Sequence, residues 1–398
     1  MTTTTTPSFS TSASNLSRRT FLRLTSIVAA TASVAAVAAC GPKTGAVGAS
    51  QDAGELPDYY PAGYNSLVEG SKKEGGALTI YSNTDQENWA PVFEAFQEKF
   101  PWVTTINANN LDSDEVFQRV LSEQATNGSP ADLVVSNAAQ AWAEFAGRES
   151  ALAEYRSPEL AHLQDFAEVL PNVYAFSLDP MTISYNTALV PEGQRPTGLD
   201  SLARAAKAHP ETFRDKITIR DISGAFGFTV SHAYVQGQKD PEQAWQALET
   251  LLPLARPETS SGTQIEKVTS GEYVAGFFIS GAPAFPVEDR SGGLFETTFL
   301  DDGTVVLPRA AAIAADSPHP NTAKLFLDFL LSADGQAAVA QGGLTSFREG
   351  VTGGEGSRTY ADLLADVGEE NVIFAAYERI PEDEVARFTD RWNGLLHR

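Results

Sequence analysis

Short apolar runs alternate with amphipathic stretches along most of the chain. The first run, GALTIYSNTD (76–85), ends in Ser82, Asn83, Thr84 and Asp85. Next comes QENWAPVFEAFQEKFP, with Trp89, Val92, Phe93, Phe96 and Phe100 at helical spacing and a proline at the end. VTTINAN reads as a second strand. SDEVFQRVLSEQATNG reads as a second helix, with Ser113 as its N-cap and Gly128 near its end. PADLVVSN is a third short strand, closing on Ser136 and Asn137. This order predicts a mostly parallel sheet covered on both faces.

The stretch DPMTISYNTALVPEG (179–193) is β-rich up to Tyr185 and Asn186 and then opens into a loop. A second alternating block follows, with a helix over Leu199–Ala208, the strand KITIRDI, the turn SGAFGF and a helix in PEQAWQALETLLPLA. GEYVAGFFIS supplies another strand. TVVLPRAAAI leads into a long helical stretch whose Leu325, Phe326, Phe329 and Leu330 form one apolar face. The expectation is an α/β protein of two lobes, each a mostly parallel sheet flanked by helices.

In such sheets ligands sit beyond the carboxyl ends of the strands. That rule selects Ser82, Asn83, Thr84 and Asp85 after the first strand, and Ser136 and Asn137 after the third. Helix capping accounts for one polar residue per loop, not four in a row. DISGAFGF places Asp221, Ser223 and Gly224 at a helix start, and ETSSGTQIEKV repeats the device with Ser260, Ser261, Gly262 and Thr263. Free backbone N–H groups at such starts attract phosphate or carboxylate. Asp85 and Asp221 are acceptors for an amine, and Arg309 and Arg290 are candidate charge partners. Phe278 and Tyr185 are candidate apolar or hinge contacts.

The N-terminus changes the picture. SRRTFLRLTSIVAATASVAAVAACG (17–41) puts Arg18, Arg19 and Arg23 before an uncharged, alanine-rich run and then the chain's one cysteine. The run is too short and too weakly apolar for a membrane span. Its order resembles a twin-arginine export signal, and Val37-Ala38-Ala39-Cys40 resembles a lipoprotein cleavage box that leaves Cys40 lipidated. Residues 1–39 are therefore read as a signal peptide. Residues 40–64, rich in Gly, Pro, Ala and Ser, are read as a flexible tether in which Tyr59-Tyr60 make a surface contact.

Without the signal the chain carries 25 bases against 51 acids, a net charge of −26. Such a surface repels nucleic acid and anionic headgroups, so no nucleic acid partner is expected and the membrane is reached only through the lipid. No disulfide forms from one cysteine. The five histidines show no metal spacing, and no Gly-x-Ser-x-Gly elbow or Walker loop occurs, so neither an enzyme nor a cofactor is expected.

The pieces LTIYSNTDQENWAPVFEAFQEKFP, FQRVLSEQATNGSPADLVVSN, ISYNTALVP, SGEYVAGFFIS and SPHPNTAKLFLDFLLSADGQ resemble the extracellular solute-binding proteins of ABC importers, as does the closing ARFTDRWNGLL. The nearest branch is the ferric-iron and phosphonate-like group of the class II periplasmic-binding fold. The resemblance implies a first lobe of residues 65–183 and 305–398 and a second lobe of 184–304. Hinge strands near residues 182–186 and 305–312 would join them around a cleft. It implies a small-molecule solute as ligand and membrane permease subunits as partners, with the binder monomeric. In the iron branch a pair of adjacent tyrosines in the second lobe ligates the metal; here GEYVAGFFISGAPAF holds Phe277-Phe278, with Tyr273 earlier. Phenyl cannot replace phenolate, so no metal site is expected and an anionic organic solute is preferred. Ferric iron, a solute-sensing role and a surface hydrolase stand as alternatives.

Overall fold

The computed structural model describes residues 53–113, 115–126, 131–354 and 356–397. The export signal, Cys40 and Gly128 lie outside these residues. Eleven strands occur among the described residues: β1 (Ala77–Ser82), β2 (Thr105–Asn110), β3 (Leu133–Ser136), β4 (Glu168–Leu170), β5 (Val173–Asn186), β6 (Ile217–Arg220), β7 (Ala255–Glu258), β8 (Ala275–Ser280), β9 (Phe295–Phe299), β10 (Thr304–Ile313) and β11 (Val372–Phe374).

Their order is β2-β1-β3-β10-β5 in the first lobe and β5-β8-β6-β7 in the second. β5 serves both: Tyr174 to Pro180 pair with β10, and Met181 to Asn186 pair with β8 and β9. All fourteen residues of β5 are buried, because helices cover both of its faces. The chain returns from β9 to β10 through residues 300–303. The expected first crossing thus falls at Pro180–Met181, just before the predicted segment, and the second is made by that turn into β10.

The sheet is mixed rather than mostly parallel. β1, β2 and β3 are mutually parallel, as are β6, β7 and β8. The crossing strands β5 and β10 run antiparallel to their neighbours β8 and β3 and to each other. A strand that must enter one lobe and leave it again cannot join both sheets in the parallel sense.

Each lobe has its own core. In the first, Trp89, Phe93 and Phe96 of the helix Gln86–Lys99 pack on Phe326 and Phe329 of the helix Pro320–Leu331. The expected long helix is broken at Ser332, whose hydroxyl caps a second helix, Ala333–Gln341, through the Gly335 amide. The second-lobe core gathers Phe213, Ile217, Ile219, Leu248, Leu251 and Phe277.

Two boundaries differ from expectation. Residues 59–64 are not free tether. The hydroxyls of Tyr59 and Tyr60 donate to Glu159 at 2.9 and 2.6 Å, and those of Tyr64 and Tyr155 donate to buried Asp328 at 2.7 and 2.5 Å. Arg348 closes the cluster on Glu159 at 2.6 Å. Burying Tyr64 and tying the hydroxyls of Tyr59 and Tyr60 to Glu159 is worth more than the freedom of a short segment. The end of the chain also does not stay with the first lobe. β11 pairs with β10, but the helix Glu382–Leu396 packs Phe388, Trp392 and Leu395 into the second-lobe core beside Trp245.

Candidate functional site

Because the outer strands of each lobe are parallel, their carboxyl ends share one edge. In the first lobe this edge carries the loops after β1 and β3. In the second it carries the starts of three helices, Ala225–Gln236, Ser261–Ser270 and Gly281–Arg290, which follow β6, β7 and β8. The two edges meet at Asp179 of β5. Its carboxylate accepts from the Ser280 hydroxyl of the second lobe and from the Asn137 amide, 3.3 Å away, of the first. Arg309 of β10 lies 3.7 Å from the same carboxylate. Arg309 also donates to Asn83 Oδ1 at 2.8 Å and Thr84 Oγ1 at 3.0 Å. Asn83 in turn donates to Asn137 at 2.7 Å and to the Ser113 hydroxyl at 2.8 Å, which is how Ser113, just ahead of the helix Glu115–Ala125, is used.

Arg220, the last residue of β6, completes the cluster from the second lobe. Its guanidinium lies over the Phe226 ring, 4.6 Å from the centroid, and no salt bridge engages it among the described residues. Among the described residues its buried Nε has no partner, and neither does the buried Nε of Arg309. Burial pushes both guanidinium pKa values down from their ordinary range, with Asp179 acting against that on each. Burial also pushes the Asp179 carboxyl up, against the pull of Arg309 and the bonds from Ser280 and Asn137. Asp221 acts with Asp179 on Arg220, and Asp85 with Asp179 on Arg309, so the cluster is not short of acids; what sets Arg220 apart is that none of them salt-bridges it among the described residues.

The backbone adds to this. The helix starts at Gly224 and Ser280 carry no side-chain cap, leaving first-turn N–H groups unspent. Gly227 lets the first turn of its helix pass close to the preceding loop; a Cβ there would stand 2.0 Å from the Asp221 carbonyl.

The structure brings together Asn83, Thr84, Asn137, Ser261 and Arg309 of the residues selected from sequence. Ser261 lies against Ser280, accepting its backbone N–H at 3.0 Å. Asp221, Ser223 and Gly224 form the turn beside Arg220, with Asp221 accepting from the Ser223 amide. Ser260 is a helix cap, bonded to the Thr263 amide at 3.0 Å. Ser82 and Ser136 are fully buried and their hydroxyls are spent locally, on the Thr84 and Ala138 amides. Asp85 is exposed and holds Asn110. Arg290 is exposed at the far end of its helix.

Two selected residues stand apart. Phe278 is fully buried beside Tyr234, with a φ of 54°. It is the extra residue of a bulge in β8, where Thr182 and Ile183 pair with Ile279 and Phe277, and the bulge turns its ring into the core. The residue that ends β8 at the edge is Ser280, followed by the helix start at Gly281, so neither phenylalanine occupies the cluster. Tyr185 lies near the opposite end of β5, its hydroxyl on Glu296 at 2.6 Å.

Arg220, Asp179 and Ser280 were missed. Arg220 ends the strand whose next residue had been selected. Asp179 is a lone acid before a proline inside an apolar run, a signal for a paired, buried charge.

Residues 92–363 match the family described as bacterial extracellular solute-binding protein. The chain belongs to this family. Its role is the family's, binding a solute outside the cytoplasm. The "Iron uptake protein A1" of Synechocystis sp. is 27% identical over 287 residues, covering 66% of this chain and 73% of that protein. Two solved structures show the class II fold. A substrate binding protein of an ABC transporter from Agrobacterium tumefaciens has a TM-score of 0.70 at 20% identity, covering 81% of this chain and 96% of that one. The periplasmic binding protein AfuA from Actinobacillus pleuropneumoniae, with exogenous fructose-6-phosphate bound, has a TM-score of 0.61 at 20% identity, covering 81% and 98%.

Proposed function

We propose that the solute is a small organic anion, phosphorylated, phosphonate or carboxylate, held between the lobes by Arg220 and Arg309. The observation that carries this reading is the half-buried guanidinium of Arg220, which no salt bridge engages among the described residues, at the mouth of uncapped helix starts. An anionic group that enters there accepts from the Arg220 and Arg309 guanidinium groups, and each charge-assisted hydrogen bond contributes about 1.5–3 kcal/mol. Three or four such bonds approach the roughly 8 kcal/mol of a micromolar complex, before the costs of association. Asn83, Thr84, Asn137 and Ser280 supply neutral polar contacts, and Asp179 orients them. Because the contacts come from both lobes, occupancy favours the closed arrangement that a permease recognises.

The same reading takes the protein out of the cytoplasm by the twin-arginine route. Cys40 then holds the monomer at the outer face of the membrane, within reach of its permease.

Ferric iron as cargo is the second reading, and the relative titled an iron uptake protein favours it. Among the described residues Tyr377 is the phenol beside Arg309, and it donates to the Pro308 carbonyl. Iron carried as an anionic chelate suits this cluster better than a bare ferric ion.

A thermal-shift panel of phosphosugars, phosphonates, dicarboxylates, ferric citrate and ferric ion tests both readings. A ligand at a hundredfold excess over its Kd stabilises by about 2.7 kcal/mol. The expected hit is an anion whose shift disappears in Arg220→Ala. A shift by ferric ion alone, retained in Arg220→Ala, would refute the anion reading.

A further inference from the structure

The end of the chain touches both lobes and the solute cluster at once. β11 lies parallel to β10 at residues 304–306, and the Ala375 amide extends the ladder to the Val306 carbonyl at 2.9 Å. Two residues on, the Tyr377 hydroxyl donates to the Pro308 carbonyl at 2.6 Å. Pro308 immediately precedes Arg309, and the β10–β5 register breaks directly after Arg309. The neighbouring β5 amide, Leu178, is not available to hold this stretch, since it donates to Thr345 at 2.9 Å. Arg309 therefore sits at an irregular point of its strand, and the bond from Tyr377 fixes the backbone beside it.

The other side of the segment is moored in the second lobe. Phe388 and Trp392 pack on Trp245, and Glu384 lies 2.9 Å from His232 of the helix that begins at the site's Gly224. Only residues 378–381 separate Tyr377 from this mooring. The path runs from the second-lobe core through Tyr377 and Arg309 to Asn83 and Thr84 of the first lobe.

We infer that Tyr377 is a positioning residue for solute capture: the C-terminal segment, moored in the second lobe, uses its hydroxyl to hold Arg309 in register with the first-lobe loop at residues 83–84. The inference rests on the assignment of Arg309 to the solute cluster. Its test needs no solute, so its failure is distinguishable from failure of the anion reading.

Amide hydrogen exchange of the solute-free full chain, read on residues 82–86, is compared in the parent, Tyr377→Phe, Tyr377→Ala, Arg309→Ala and the double variant Tyr377→Phe/Arg309→Ala. Loss of one hydrogen bond predicts roughly threefold to tenfold faster exchange at residues 83–84 in Tyr377→Phe. Arg309→Ala gives at least as much, and the double variant gives no more than Arg309→Ala alone. Exchange in the helix Glu382–Leu396 stays as in the parent, separating positioning from simple unfolding of the segment. Parent-like exchange at residues 83–84 in both Tyr377 variants overturns the inference. A change confined to Tyr377→Ala also overturns it, because the ring and not the hydroxyl would then be responsible.

Discussion

Asp328→Asn removes a fully buried carboxyl that holds the N-terminal segment through the hydroxyls of Tyr64 and Tyr155. Ser157 adds to the hydrogen bonds on this carboxyl. Burial pushes this acid from its ordinary 3.8 up to about 6, the hydrogen bonds opposing the rise. A rise of roughly two pK units corresponds to about 3 kcal/mol between the two protonation states. The sign follows from proton counts. Between about pH 4 and about pH 6 the folded chain keeps a proton that the unfolded chain has lost. Stability from this group is thus fully present below about pH 4, falls as the pH rises and is gone above about pH 6. At neutral pH the parent carries a buried carboxylate that the Asn variant does not. Thermal melts of both proteins across this range, expressed as the difference between them, isolate the group from the other acids. The difference is small at the acid end and grows to several degrees in favour of Asp328→Asn at neutral pH. A difference independent of pH would show that the carboxyl is not held above its ordinary value, and the reasoning about the mooring would fail with it.

Two further substitutions probe the edges of the site. Gly227→Ala drives a methyl group to 2.0 Å from the Asp221 carbonyl and displaces the turn next to Arg220. It lowers affinity for the anion found by the panel at least about tenfold by titration calorimetry and costs about 1–3 kcal/mol of stability; parent-like affinity would remove that turn from the site. Tyr185→Phe loses a bond to Glu296 at the opposite end of β5. It leaves solute affinity unchanged and costs about 1 kcal/mol in denaturant unfolding; a clear loss of affinity would mean that the far end of β5 communicates with the cluster.

The alternating pattern carried the two-lobed reading because each apolar run ends where polar residues begin, and those ends are where β1, β3, β6 and β8 stop. Helix Leu199–Ala208 was legible to the residue, since its apolar spacing is regular and a glycine precedes it. What one dimension hides is the partner of each charge. Arg220 and Arg309 look like any arginines in an acidic chain; only the fold shows that the first has no salt bridge among the described residues and that the second serves a loop 225 residues away. Phe278 reads as a candidate contact because a bulge has no spacing signature. The crossing of the C-terminal helix into the second lobe was hidden too, because its apolar face fits either core by pattern alone. The surface contact expected of Tyr59 and Tyr60 falls on Glu159, while the burial of Tyr64 was masked by the Gly- and Pro-rich composition around it.

The central claim is that an anion bridging Arg220 and Arg309 draws the two lobes together. Small-angle X-ray scattering of the parent and Arg220→Ala, each with and without the anion that shifts the melt, tests it most directly. The account predicts a smaller radius of gyration for the parent on binding and no change for Arg220→Ala. Superimposable profiles for the parent with and without saturating anion would contradict it.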